Sequence, residues 1–264
     1  MVKGLYTAYT GMINEQRRMD ILSNNLANAD TNGYKKEGAT SQTFADELAI
    51  RIKDSSVHGI PQRLGDVSLG VHIGETYTDY TSGNFRITDN QADFALRGDG
   101  FFAIAYTDKA GNSSVKYTRD GAFVVNRQGY LVTKDGDYVL SMNDARNGNA
   151  GGRIQVDPNV KIVVDEFGNI FQNNQQVANI GFVDFEDYNY LAKFGENMYD
   201  LVEGGTVTES DAQIEQGIIE SSNVNVVSEM VEMISVSRAY QAGQKMINAI
   251  DETLGKAVNE VGKI

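Results

Sequence analysis

The two ends of this 264-residue chain carry apolar residues at helical spacing, and the long stretch between them does not. From Leu5 the apolar positions step by three and four through Ala8, Met12, Met19, Leu22, Leu26 and Ala29, with Glu15 the one polar interruption. Residues three and four apart share a helix face, so the spacing predicts an amphipathic helix of roughly 25 residues. It stops at Asn28-Ala29-Asp30-Thr31-Asn32-Gly33, where Gly33 can take the left-handed conformation and Asn and Asp side chains compete for backbone groups. The C-terminal end carries a longer seam: Val226, Met230, Met233, Tyr240, Ile247, Leu254, Val258 and Val261, with Ser237, Gln244 and Asp251 in its gaps. A second row, Val236, Ala239, Met246, Ile250 and Ala257, widens the apolar face beyond what one neighbouring helix covers. Asn225 suits the N-cap, and Glu229 falls in the first turn, where an acid complements the helix dipole. A helix over 226–260 would be about 50 Å long.

Between the seams the period changes to two. Phe101–Tyr106, Ala122–Val125, Tyr130–Thr133, Tyr138–Leu140, Val160–Val164 and Ile180–Phe185 are short β-branched and aromatic runs, each predicting a strand. Asp108–Asn112, Asp120-Gly121, Asn126–Gly129, Asp135-Gly136 and Glu166–Asn169 separate them with turn chemistry. With 27 glycines and two prolines, the turns are expected from positive-φ residues rather than rigid bends. The expected fold class is α+β: N- and C-terminal helices forming a coiled-coil-like layer around a central, mainly β, hairpin-rich domain. The expected segments are an N-terminal assembly helix at 1–34, an extended linker at 35–80, a β-rich domain at 81–222 and a C-terminal assembly helix at 223–264.

Composition removes several kinds of chemistry. There is no cysteine, hence no disulfide, thiolate metal site or cysteine nucleophile. The formal charge of −13 repels phosphate backbones, and Arg17-Arg18 and Lys35-Lys36 are pairs rather than basic patches, so nucleic acid is not an expected partner. No apolar run approaches the roughly 20 residues of a membrane span. The start Met1-Val2-Lys3-Gly4-Leu5 lacks the apolar core and cleavage site of a secretory signal, so any export is expected to follow another route.

Several residues invite sharper readings. Gly98-Asp99-Gly100, with Asp93 and Asp120 nearby, suggests a phosphate or metal loop, but it precedes a strand rather than joining strand to helix, so structural turns are expected. His58 and His72 lie fourteen apart without a zinc pattern. Asp184, Glu186 and Asp187 beside Tyr188 and Tyr190 offer carboxylates for sugar hydrolysis, against a solvated acidic turn. The same tyrosines would serve a ligand-binding, adhesin-like β protein. Glu15 and Asp251 within the seams are either solvated edges or polar contacts that set register between subunits, Glu15 then facing Lys or Arg of another copy.

Motifs in a fixed order across roughly residues 1–260 carry a family resemblance. Asn24-Asn25-Leu26-Ala27-Asn28-Ala29-Asp30-Thr31-Asn32-Gly33-Tyr34-Lys35 resembles the string that follows the first helix of the flagellar basal-body rod and hook family. Thr88–Phe102, containing Gly98, Gly100, Phe101 and Phe102, is similar to its glycine- and phenylalanine-rich strand, and Tyr117-Thr118-Arg119-Asp120-Gly121-Ala122-Phe123 to its hairpin. Gln216–Asn225, with Ser222, Asn223 and Val224, then Glu229-Met230 and Arg238-Ala239-Tyr240, resemble its C-terminal part. Ser237 departs from the pattern, standing where the family usually has Gln before Arg-Ala-Tyr, which puts one helix-to-helix polar contact in doubt.

The resemblance implies a structural, non-enzymatic subunit of the bacterial flagellar basal body that binds no cofactor or metal. It implies polymerisation into a hollow axial tube that transmits torque and passes exported subunits, with the terminal helices inside and the β domain outside. Implied partners are copies of itself, other rod and hook proteins and the flagellar type III export apparatus, with no membrane insertion. Length and motifs point to a distal-rod subunit, or its proximal-rod paralogue, rather than the longer hook protein. The terminal helices are expected to gain order on polymerisation, because isolated amphipathic helices are marginal in water.

Overall fold

The computed structural model describes residues 2–45, 47–51, 62–68, 70–109 and 111–261. His58 lies outside the described residues, and so does the side chain of Val261. The chain divides into two compact units: Met1–Ala27, Glu37–Asp79 and Asn225–Ile264 in one, Asn28–Lys36 and Tyr80–Val224 in the other. The described residues hold three α-helices, α1 (Val2–Ala27), α2 (Met142–Asn147) and α3 (Val226–Lys256). No helix is long and apolar enough to cross a membrane among the described residues.

In the helical unit, α1 and α3 run antiparallel. A Cβ added at Gly4 would lie 4.0 Å from Ile250, Met12 sits against Gly243, Arg18 reaches Glu232 at 2.9 Å and Asn25 reaches Glu229 at 3.2 Å, so partners ascend one helix while descending the other. The covered side of α3 includes Glu229, Met233, Val236, Tyr240, Gly243, Ile247 and Ile250, alternating steps of four and three as a coiled-coil seam requires. This seam mixes the two rows expected from sequence. Met233, Tyr240 and Ile247 come from the first row and Val236 and Ile250 from the second, whereas Val226, Met230, Leu254, Val258, Ala239 and Met246 are exposed. Part of the seam expected to await other copies is thus covered within one chain. On α1, Leu5, Met12, Met19 and Leu26 are half-buried and Leu22 is buried.

Asn225 caps α3 as expected, its side-chain oxygen accepting from the N–H groups of Val227 and Ser228. The α-helix gives way to a π-helical turn at Ala257–Val261. Within the same unit, Glu37–Thr43 pairs antiparallel with Val71–Thr78, with a register shift between Thr40 and Ser41, and Glu47–Arg51 pairs with Gln62–Val67. The Asn14 carboxamide holds the first ribbon to α1, donating to Ser41 Oγ at 3.0 Å.

The β unit is antiparallel. Its central strand, Phe101–Thr107, pairs with Ser113–Thr118 on one edge and with both Phe182–Phe185 and Tyr138–Val139 on the other. Both faces of that strand are covered: Phe101, Ala103 and Ala105 enter one apolar cluster with Val183, Phe185 and Tyr199, and Phe102 enters another with Phe94, Phe123, Ile180 and Ile214. Burial on both faces explains the unbroken apolar run in the sequence. The returning segment at 213–220 pairs with the early one, Gln213–Gln216 with Phe94–Arg97 and Ile218–Glu220 with Phe85–Ile87.

Gly243 occupies a seam position where an added Cβ would meet Met12 Cγ at 2.7 Å, so the absence of a side chain permits the close approach of α1. Gly243→Leu should overpack the seam and cost about 1–3 kcal/mol of helical-unit stability, read as a lower urea midpoint of the 222 nm signal.

Candidate functional site

Two buried polar clusters, one inside each unit, take in several of the signature residues. In the helical unit the Asn25 carboxamide imitates a strand partner for Glu37, donating to its carbonyl at 2.8 Å and accepting from its N–H at 3.0 Å. The same Nδ2 donates to Glu229 Oε2 at 3.2 Å, and both side chains are fully buried, at 0% exposure. Glu229 therefore does more than complement the dipole of α3: it ties that helix to the end of α1 and to the first ribbon residue. Buried groups of this kind are satisfied or costly.

In the β unit the centre is Glu220, 1% exposed at the end of an edge strand. Its Oε1 accepts from Lys35 Nζ at 2.7 Å and from the Gly83 N–H at 2.9 Å, while Oε2 accepts from Arg119 Nη1 at 3.3 Å. Lys35 Nζ also donates to the Thr81 carbonyl at 2.8 Å, and Arg119 donates to the Leu96 and Gly98 carbonyls. The guanidinium carbon stands 5.3 Å above the Phe101 ring. Gly33 completes the clamp, its N–H donating to the Glu220 carbonyl at 2.8 Å. At φ +66° and packed against the Arg119 backbone, Gly33 has no room for a Cβ.

The other signature residues brace this arrangement. Asn28 accepts from Thr31 Oγ1, and Tyr34 is buried beneath Lys193, whose Nζ lies 4.4 Å from its ring centre. Asn223 accepts from the Lys36 N–H at 2.7 Å and donates to Thr81, and Ser222 Oγ accepts from the Val224 N–H. Phe102 and Phe123 meet edge to face at 5.3 Å, Tyr117 packs on Phe185, and Thr118 donates to the Asn197 carbonyl. Gly98 and Gly100 hold positive φ, and Gly121 accepts through its carbonyl from Phe94 N–H. Asn24, Ala27, Arg238 and Ala239 lie on exposed helix positions, and Tyr240 is half-buried.

The enzyme-like readings find other uses for their residues. Asp184 accepts from Tyr188 Oη at 2.7 Å, Glu186 accepts from Thr206, and Asp187 caps the 3-10 turn at Tyr188–Tyr190. Burial first, then the Asp184 hydrogen bond and charge, hold the Tyr188 phenol well above its usual pKa. Asp93 accepts from Thr88 and Asn90, fixing a turn. No group of three or more metal-binding side chains occurs among the described residues. Glu15 meets Arg18 of its own helix at 3.5 Å, and Arg18 passes the contact to Glu232 of α3. Asp251 is exposed.

Sequence reasoning quoted Glu220 within a motif without singling it out, and it missed Asn14, Glu37, Glu232 and Gly243 as contact residues. The available signal at Glu220 was an acid closing the apolar pair Ile218-Ile219 in an edge strand.

A pair of packed terminal helices, a β unit and polar clusters spent on internal bonds define a structural protein. Family descriptions agree: "Flagella basal body rod protein" matches residues 5–35, "Flagellar hook protein FlgE/F/G D1 domain" residues 95–172, and "Flagellar basal body rod FlgEFG protein C-terminal" residues 215–260. Among similar proteins, the flagellar basal-body rod protein FlgF of Caulobacter vibrioides is 33% identical, with the whole of both chains covered. The flagellar hook-basal body complex protein FlhO of Bacillus subtilis is 32% identical over the whole of both chains. The flagellar basal-body rod protein FlgG of Bacillus subtilis is 31% identical, with 98% of this chain and 99% of that one covered. The chain belongs to the flagellar basal-body rod FlgE/F/G family and is a structural, non-enzymatic protein of the flagellar basal body.

Burial is the main cause raising the Asp120 carboxyl above the usual carboxylate value; the Ala122 N–H and Lys134 oppose it, and Asp93 and Asp135 add to it. A carboxyl whose pKa is higher folded than unfolded costs stability when ionised, and that cost disappears as pH falls through the folded value. Asp120→Asn should accordingly raise the melting temperature at neutral pH, with the gain shrinking toward about pH 4. Asn25→Ala, which strips partners from Glu37 and Glu229, should cost about 2–3 kcal/mol in urea unfolding.

Proposed function

We propose that this chain is a distal-rod subunit that polymerises head to tail into a hollow helical tube, carrying torque outward and exported subunits through its lumen. The observation behind this reading is the apolar stripe that α3 keeps exposed after α1 has covered its other side. Val227, Val231 and Ile234 are 72%, 63% and 54% exposed at successive helical steps, with the exposed Met230 beside them. On α1, Tyr6 and Tyr9 are exposed in the same way. A row of exposed aliphatic side chains on a helix is covered by another surface in a soluble assembly. A head-to-tail interface that does not close on itself propagates as a helix. The partners in this reading are copies of the chain, other rod and hook proteins, and the flagellar export apparatus. Relatives named FlgF and FlgG match over nearly equal lengths at nearly equal identity, so position along the rod is what imaging decides.

Val231→Asp with Ile234→Asp should leave monomer stability within about 0.5 kcal/mol, since both positions face solvent, while stopping incorporation into basal bodies and abolishing swimming. Normal rods built from the double variant would remove this reading. Labelled-subunit imaging of isolated basal bodies should place the protein at the distal end; a label at the cytoplasmic end would assign the proximal position instead.

A further inference from the structure

Glu220 brings together three stretches of chain that are far apart in sequence. It lies 185 residues from Lys35 and 101 from Arg119, and its carboxylate is the charge that both cations share. All three side chains are buried, Lys35 and Glu220 at 1% exposure and Arg119 at 3%. The two cations are already committed to the β unit by other bonds, Lys35 to the Thr81 carbonyl and Arg119 to the carbonyls of Leu96 and Gly98. The carboxylate that balances them arrives on Ile218–Glu220, the last strand of the unit.

We propose that Glu220 is a completeness lock: the β unit closes only when its first flank, residues 28–36, and its last, residues 218–224, are both in place. Moving a cation out of water is costly unless a counter-charge and hydrogen bonds come with it. A chain emerging one end first therefore holds Lys35 and Arg119, or Glu220, without the shared partner until nearly the whole unit is available. Closure at that stage buries charge without its balance, so the open chain is favoured. Once both flanks are present, the carboxylate and the two cations enter together, with the Gly83 N–H donating to the carboxylate and the Gly33 N–H to the Glu220 backbone carbonyl. Contacts of such long sequence separation also form late for reasons of loop entropy, and the ionic cluster adds a charge condition to that delay. The consequence is a β unit that folds as one step rather than strand by strand.

The test is native-state hydrogen exchange on the full chain, comparing amides of the flank (Gly33, Tyr34) with those of the central strand Phe101–Thr107. In the wild type both groups should share one opening equilibrium. Glu220→Gln should speed exchange of the central strand by roughly a hundredfold to a thousandfold, together with the flank, since it withdraws the charge that both cations share. In a Lys35→Met background the same Glu220→Gln change should cost at least about tenfold less, because one of the two cations is gone. Loss of protection confined to Gly33 and Tyr34, with the central strand unchanged, would overturn the lock, and so would an undiminished loss in the Lys35→Met background. Should Glu220→Gln fail to fold, recovery of the fold by adding Lys35→Met supports the proposal and failure to recover it counts against it.

Discussion

One buried carboxylate, Glu220, sits where segments of the β unit far apart in sequence converge. Gly33 and Ser222 lie outside the paired strands of the unit. The ion cluster instead ties Lys35, Thr81, Gly83 and Arg119 to a single buried point. A buried charge network is weak as a source of net stability, and losing any one of its members leaves the others buried without balance. The same logic recurs in the helical unit, where Asn25 and Glu229 bind α1, α3 and the start of the ribbon at one spot. Each unit thus has a polar fastening near, in sequence, to places where the chain passes into the other, which are Ala27/Asn28, Lys36/Glu37, Asp79/Tyr80 and Val224/Asn225.

This gives the signature strings a physical meaning. In the first, Asn25 serves the helical unit while Gly33, Tyr34 and Lys35 serve the β unit, so one short string straddles a division in the fold. The second, running from Glu220 to Glu229, straddles it again in the opposite direction. Several residues that look like a recognition motif in sequence are instead spent on internal bonds.

Much of the architecture was legible. Heptad spacing at both ends foretold α1 and α3, Asn225 foretold the cap, and short β-branched and aromatic runs foretold the strands around Phe101, Phe182 and Leu131. The side of α3 that meets α1 was not legible, because two apolar rows stood beside each other and periodicity cannot say which one a partner takes. Gly243 marks the difference: as a glycine it adds nothing to an apolar pattern, yet it decides where the helices approach. The clusters were half legible. Lys35, Arg119 and Asn25 stood out within motifs, but their pairing with Glu220 and Glu229 depends on segments separated by up to 204 residues, which no local signal encodes. Short strands such as Met198–Leu201 and the small helix α2 escaped because two to six residues carry too little period to be read.

The antiparallel course of α1 and α3 has an electrostatic consequence. Each helix carries partial charge of opposite sign at its two ends, and setting the pair head to tail places the positive end of one beside the negative end of the other. Over the shared length the two backbone fields largely cancel, so copies packed side by side through these helices would add little net polarity along their common direction. Charge felt by anything passing such a surface would then come from side chains alone.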